Sequence, residues 1–135
     1  MEHLHPLPGS SFRSRAAAPL AAGHVERVDG LGRGENAACG DRLELSLQVN
    51  GGQGTQGASI ERAGYRAVGC SSLLASASLV CEHLPGLTLA QAGELDCAQF
   101  LAAAGGPPPR GAHAASVVAR ALAQALEGAL AKFPR

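Results

Sequence analysis

The stretch Leu43-Glu44-Leu45-Ser46-Leu47-Gln48-Val49 alternates apolar and polar residues without a break. Successive side chains of a strand point to opposite faces, so a period of two predicts a strand with one face buried. Downstream, Asn50-Gly51-Gly52-Gln53-Gly54-Thr55-Gln56-Gly57 cannot form a core element and reads as a long hairpin loop. A second strand is expected over Ile60–Val68, with Ala63 and Tyr65 on one face. Neighbouring strands joined by such a loop pair antiparallel. A third strand is expected upstream, around Val25–Val28.

Past Gly69 the period changes. Leu73, Ala77, Val80 and Leu84 fall at helical spacing, which predicts an amphipathic helix over 71–84, stopped by Pro85-Gly86. Thr88 is positioned to cap a short helix running to about Leu95, and Asp96 another running to Ala104. Gly105-Gly106 and Pro107-Pro108-Pro109 then interrupt the chain. Val117, Val118, Ala121, Leu122, Ala125, Leu126, Ala129 and Leu130 form a continuous apolar stripe, predicting a final helix over 113–131. Strands first and helices afterwards define an α+β fold: a small antiparallel three-stranded sheet with helices packed on one face. Residues 1–35, rich in Pro, Gly, Ala and Arg, are expected to be a partly ordered N-terminal arm, with the domain proper over 36–135.

Composition narrows the function. The 135 residues suit one domain with a modest core. Eleven basic residues balance 11 acidic ones, and aromatics are 3% with no Trp, so neither nucleic acid nor an anionic membrane is an expected partner. No apolar run is long enough to span a bilayer, and the start Met1-Glu2-His3-Leu4-His5-Pro6 lacks the basic-then-apolar pattern of a secretory leader. Four Cys, at 39, 70, 81 and 97, contain no CxxC pair and no small disulfide framework. A reducing, cytoplasmic location is therefore expected, with thiols that are either buried or reactive.

Two thiols stand where chemistry is easy. Cys39 lies in the turn Asn36-Ala37-Ala38-Cys39-Gly40-Asp41, two residues from a carboxylate. Cys70 lies where the second strand hands over to the long helix, and a thiol there feels the positive end of the helix dipole. One flanks the entry and the other the exit of the same strand pair, and in an antiparallel pair those ends meet. His113 adds an imidazole at the start of the last helix. Each also has a plain structural reading: an ordinary turn for Cys39, a buried small side chain for Cys70, a surface or capping residue for His113. Cys81 falls on the apolar face of its helix and is expected in the core. Cys97 is open between packing and a role at the site.

Asn36-Ala37-Ala38-Cys39-Gly40-Asp41 resembles the Asn-Pro-x-Cys-Gly-Asp signature of the iron–sulfur cluster assembly scaffold family, which comprises IscU, SufU and the N-terminal domain of NifU. Gly69-Cys70-Ser71-Ser72-Leu73-Leu74-Ala75-Ser76-Ala77-Ser78 is similar to that family's Gly-Cys-x-x-x-x-Ala-Ser-x-Ser block, and Pro107-Pro108-Pro109-Arg110 to its Pro-Pro-x-Lys/Arg stretch. The resemblance implies a carrier and not a turnover enzyme. Such a carrier takes sulfur from a cysteine desulfurase and passes a [2Fe–2S] cluster to client proteins. It assigns Cys39, Asp41 and Cys70 as ligands, with Asn36, Gly40 and Gly69 supporting them, and matches His113 to the His of a His-Cys-Ser block. The third family Cys is missing, since Ala114 stands in its place. Two thiolates, a carboxylate and an imidazole still make four donors, enough for iron, a mixed-ligand [2Fe–2S] cluster or tetrahedral zinc. Two other readings follow: a degenerate paralogue that binds the desulfurase or other assembly partners without building clusters, and a zinc-dependent SufU-like sulfurtransferase.

Overall fold

A computed structural model of the chain describes residues 11, 22–51, 57–107 and 112–134. The elements run β1 (Gly30–Asn36), β2 (Asp41–Asn50), β3 (Ser59–Val68), α1 (Ser71–His83), α2 (Leu89–Gly93), α3 (Cys97–Ala103) and α4 (His113–Lys132). The sheet has the order β1-β2-β3 with both pairings antiparallel, and the helices pack against one face, as the α+β pattern predicts. The alternation of β2 is realised literally. Leu43, Leu45, Leu47 and Val49 are buried against the helices, with Tyr65 and Ile60 of β3 beside them. A bulge at Glu61 lets Val49 pair with Ile60, so both stay on the inner face. Most of the expected hairpin loop, and most of the Pro-rich stretch before His113, lie outside the described residues.

The two short helices begin at side-chain caps. The Thr88 side chain accepts from the Gln91 backbone N–H, and the Gln91 side chain accepts from that of Thr88, a reciprocal capping box at α2. Asp96 caps α3 by accepting from Gln99 N–H. His83 at the end of α1 packs against Phe100 of α3, with ring centroids 4.6 Å apart and the planes tilted by 37°.

The third strand is not where the sequence predicts it. Residues 25–28 form no strand; β1 begins at Gly30 and pairs along its length with β2. Val25–Val28 instead crosses the outer face of the sheet and bonds to side chains. Val25 N–H donates to Ser46 Oγ at 3.2 Å, and Arg27 N–H to Gln48 Oε1 at 3.2 Å. Gly30, Gly32 and Gly34 look like loop residues, yet their missing side chains are what the packing requires. A Cβ on them would lie 2.1, 1.8 and 2.2 Å from the carbonyl oxygens of Ala125, Ala121 and Val117. Two strand residues advance about 6.8 Å and four helix residues about 6.0 Å, so alternate glycines meet every fourth residue of α4. Strand and helix touch backbone to backbone.

At the end of the sheet far from the turn at 37–40, Asp29 ties three segments together. Its side chain is fully buried, accepts from Val49 N–H at 2.8 Å and from Arg27 Nε at 3.2 Å, and pairs with Lys132, the chain's single Lys. Burial pushes this carboxyl up, and the Lys132, Val49 and Arg27 contacts outweigh it, so its pKa falls below the usual carboxylate range.

Candidate metal centre

The opposite end of the sheet carries the candidate site. Between β1 and β2 the chain turns at Ala37–Gly40. Asn36 shapes that turn: its Oδ1 accepts from Ala38 N–H at 3.1 Å and its carbonyl from Cys39 N–H at 3.2 Å. Gly40 has φ +75°, a left-handed conformation that admits glycine without penalty, and it returns the chain into β2. Cys39 is left exposed at the tip.

Asp41 opens β2 in the same phase as Leu43, Leu45 and Leu47, so its carboxylate points inward and is 1% exposed. It is the hub of the group. Oδ1 accepts from Cys70 N–H at 3.1 Å. Oδ2 lies 2.7 Å from His113 Nε2 and accepts from the Cys70 thiol at 3.6 Å. Cys39 Sγ lies 3.4 Å from the same His113 Nε2. Antiparallel pairing of Arg42 with Val68 brings the start of β2 to the end of β3, which is how the two Cys segments meet. Gly69 makes the junction possible, because a Cβ there would sit 2.2 Å from Asp41 Oδ1. Cys70 is the N-cap of α1 but makes no side-chain cap bond, which leaves its thiol to Asp41.

Burial pushes the Asp41 carboxyl up, but the hydrogen bonds from His113, Cys70 N–H and the Cys39 and Cys70 thiols outweigh it and hold the pKa below the usual range. Asp41 is therefore ionised at neutral pH, an anionic donor inside a group of softer ones. Cys39, Asp41 and His113 each offer one ligand atom, all within 4.8 Å of one another, and Cys70 joins through Asp41. Tetrahedral zinc holds neighbouring N, O and S ligands roughly 3.3–3.8 Å apart, given bonds near 2.0–2.3 Å. The Cys39–His113 and Cys70–Asp41 separations of 3.4 and 3.6 Å already match those edges. The 2.7 Å His113–Asp41 contact is a direct hydrogen bond and would have to open by about half an ångström. Cys39, Asp41 and His113 are close enough to share a metal with little rearrangement, whereas Cys70 lies outside that trio and would have to move in from its contact with Asp41.

The remaining cysteines do not contribute. Cys81 and Cys97 are 1% and 3% exposed. Burial pushes both thiols up, Cys97 to about 12 with help from Asp96, so neither is a thiolate at neutral pH. Cys97 is core and not a replacement ligand. Ala114 is fully buried beside His113 and offers no donor. The sequence already held the signal for the hub: Asp41 shares the parity of the inward leucines, which distinguishes it from an exposed turn carboxylate.

The chain is thus a small α+β domain with a Cys39/Asp41/His113 group at one end of its sheet and the Cys70 thiol on the same carboxylate. The chain belongs to the NifU-like N terminal domain family, whose profile matches residues 14–134. It is 34% identical over 110 residues to the bifunctional protein NifU/MnmA of Rubrobacter xylanophilus, across 81% of this chain and 22% of that protein. It is 28% identical over 108 residues to the iron–sulfur cluster assembly scaffold protein IscU 1 of Archaeoglobus fulgidus, across 80% of this chain and 67% of that one. The chain thus spans about a fifth of the Rubrobacter protein and two thirds of the Archaeoglobus one. Among solved structures it resembles a candidate SUF-system scaffold from Fervidobacterium islandicum, with TM-score 0.61 and 19% identity over 85% of this chain and 93% of that chain. That last likeness concerns the fold.

Proposed function

We propose that this chain is a scaffold-type protein of iron–sulfur cluster assembly that carries iron, a [2Fe–2S] cluster or zinc at Cys39, Asp41, Cys70 and His113. The observation that carries the reading is the convergence of Cys39, Asp41 and His113 within 4.8 Å, with the Cys70 thiol on the same carboxylate. The metal or cluster is cargo. Cys39 and Cys70 supply soft thiolate donors, and Asp41 supplies a hard oxygen that holds iron less tightly and eases release to client or carrier proteins. His113, half-buried at the start of α4, supplies the imidazole donor beside the Asp41 oxygen. Sulfur comes from a cysteine desulfurase, whose chemistry this chain does not perform; the carrier has no turnover of its own and works in the cytoplasm.

Anaerobic reconstitution of the full chain with iron, sulfide and a desulfurase tests this. The wild type is expected to develop the visible charge-transfer bands of a cluster, or to retain iron or zinc by elemental analysis, and Cys39→Ala to lose them. A wild type with neither bands nor metal would overturn the proposal.

A second reading, a partner-binding paralogue that builds no cluster, draws on the buried, donor-free Ala114. Ala114→Cys distinguishes the two. Added to a working site it raises cluster retention, whereas a paralogue shows no gain.

A further inference from the structure

The outer face of the sheet divides into two halves. Residues 22–29 cover the half around Ser46 and Gln48. A Cβ on Gly64 would lie 2.2 Å from Gly23 O, so the covering chain crosses directly over β3 there. Among the described residues this cover reaches as far as His24, whose Nε2 lies 3.1 Å from Glu44 Oε1. Beyond it, a groove of about 590 Å³ lies over the half that ends at Asn36, Asp41 and Gly69. Arg33 and Glu35 from β1, Arg42 and Glu44 from β2 and Arg66 from β3 line it, with Arg120 of α4 beside the free edge of β1, so four guanidiniums face two carboxylates.

These charges are unevenly matched. Arg33 pairs with Glu44 at 2.8 Å. Arg120 donates to the backbone carbonyls of Glu35 and Ser116 and to no carboxylate. Arg42 and Arg66 form no ion pair among the described residues. Val68, directly opposite Arg42, is 65% exposed, the most exposed large apolar side chain described. A sheet face that, among the described residues, sets guanidiniums without ion pairs around an exposed valine complements a chain with separated carboxylates and an apolar side chain between them.

We infer that this groove docks an acidic segment of a partner protein, with carboxylates on Arg42 and Arg66 and an apolar residue on Val68. A compact polyanion fits less well, because Glu44 sits between the arginines of β1 and β3, Glu35 stands opposite Arg42, and the whole chain carries no net charge. The chain's own first 21 residues are the wrong sign for the role, with Glu2 against Arg13 and Arg15. The docked segment lies at the end of the sheet that carries the donor group: Arg42 follows Asp41, and Val68 precedes Gly69-Cys70. The inference is independent of which metal or cluster those donors take.

The test is an amide chemical-shift titration of the isotope-labelled full chain with a short synthetic peptide rich in Asp around a central Leu. The same peptide with Lys at each Asp is the control. Expected are shifts confined to Arg33, Arg42, Arg66, Val68 and their neighbours, with affinity that falls as salt rises. Arg42→Glu combined with Arg66→Glu should weaken binding at least about tenfold, and the Gln pair should fall between. Both arginines are exposed, so an unchanged amide spectrum elsewhere verifies the fold. Cys39→Ala should bind the peptide like the wild type, which separates this result from the fate of the metal site. Unchanged affinity in the charge-reversed variant would overturn the proposal. So would shifts scattered over other surfaces, or tighter binding of a single-stranded oligonucleotide or of anionic vesicles at these residues.

Discussion

Asp41 shows how one residue's phase in a strand sets its chemistry. Because it shares the inward parity of Leu43, its carboxylate is buried, and because it is buried it requires the donors that Cys70 and His113 supply. Gly69 is the condition for this arrangement. Gly69→Ala is expected to push the carboxylate off its partners and weaken zinc or iron binding by about 10–100-fold, the usual effect of disturbing groups that orient a metal ligand. Competition with a chromogenic chelator measures it, and unchanged affinity would show that Asp41 does not need this position. Asp29 supplies the pH prediction. Its folded pKa lies below the usual value of 3.8, so it contributes stability that is present above that pH and lost as pH falls through the folded pKa. Thermal melts from pH 7 to pH 2, a range of about 5 units across the ordinary carboxylate pKa, should show Tm dropping below about pH 4. Asp29→Asn should be less stable at neutral pH and flatter over the acid range. An equal slope in the variant would assign the acid sensitivity to other carboxylates, Asp41 first.

At the scale of elements, the contrast between β2 and β1 explains what a single sequence can disclose. β2 announces itself, because four of its ten residues are leucine or valine in strict alternation. β1 does not, because the half that faces the helix is glycine, which hydrophobic periodicity counts as nothing. Its inner face is legible only beside the Val117, Ala121 and Ala125 row of α4, a match over roughly ninety residues of chain. Gly32→Ala is therefore expected to cost about 3 kcal/mol by over-packing, since the new Cβ would meet backbone that cannot swing away. Gly93→Ala, with nothing within 4 Å, should be neutral or slightly stabilising. Chemical denaturation of the two variants makes the comparison, and equal midpoints would mean that β1 and α4 adjust freely. Capping was legible for the opposite reason. Thr88 and Asp96 act on residues three positions away, so the whole interaction lies within one short window.

For the whole molecule, the candidate site joins the β1–β2 turn, the β3–α1 junction and the start of α4, while Asp29 and Lys132 join the other ends of the same layers. A metal that binds only the folded chain should stabilise it by RT ln(1 + [L]/Kd), about 2.7 kcal/mol at a hundredfold excess over Kd. Zinc should accordingly raise Tm, EDTA should reverse the rise, and His113→Ala should abolish most of it. A zinc response that survives in His113→Ala would place the metal elsewhere.

The sequence by itself determined the α+β order, the two Cys segments on one strand pair, the helix caps and the apolar stripe of α4. All of these are periodic or local and need no knowledge of distant neighbours. Only the tertiary structure decided which segment supplies the third strand, that Cys97 packs and does not ligate, that His113 and Cys70 converge on Asp41, and that an arginine-lined groove lies beside them. The physical reason is common to all four. Each depends on what another segment places against the residue: a helix backbone against the glycines of β1, the core against Cys97, His113 and Cys70 against Asp41, and residues 22–29 against one half of the outer face.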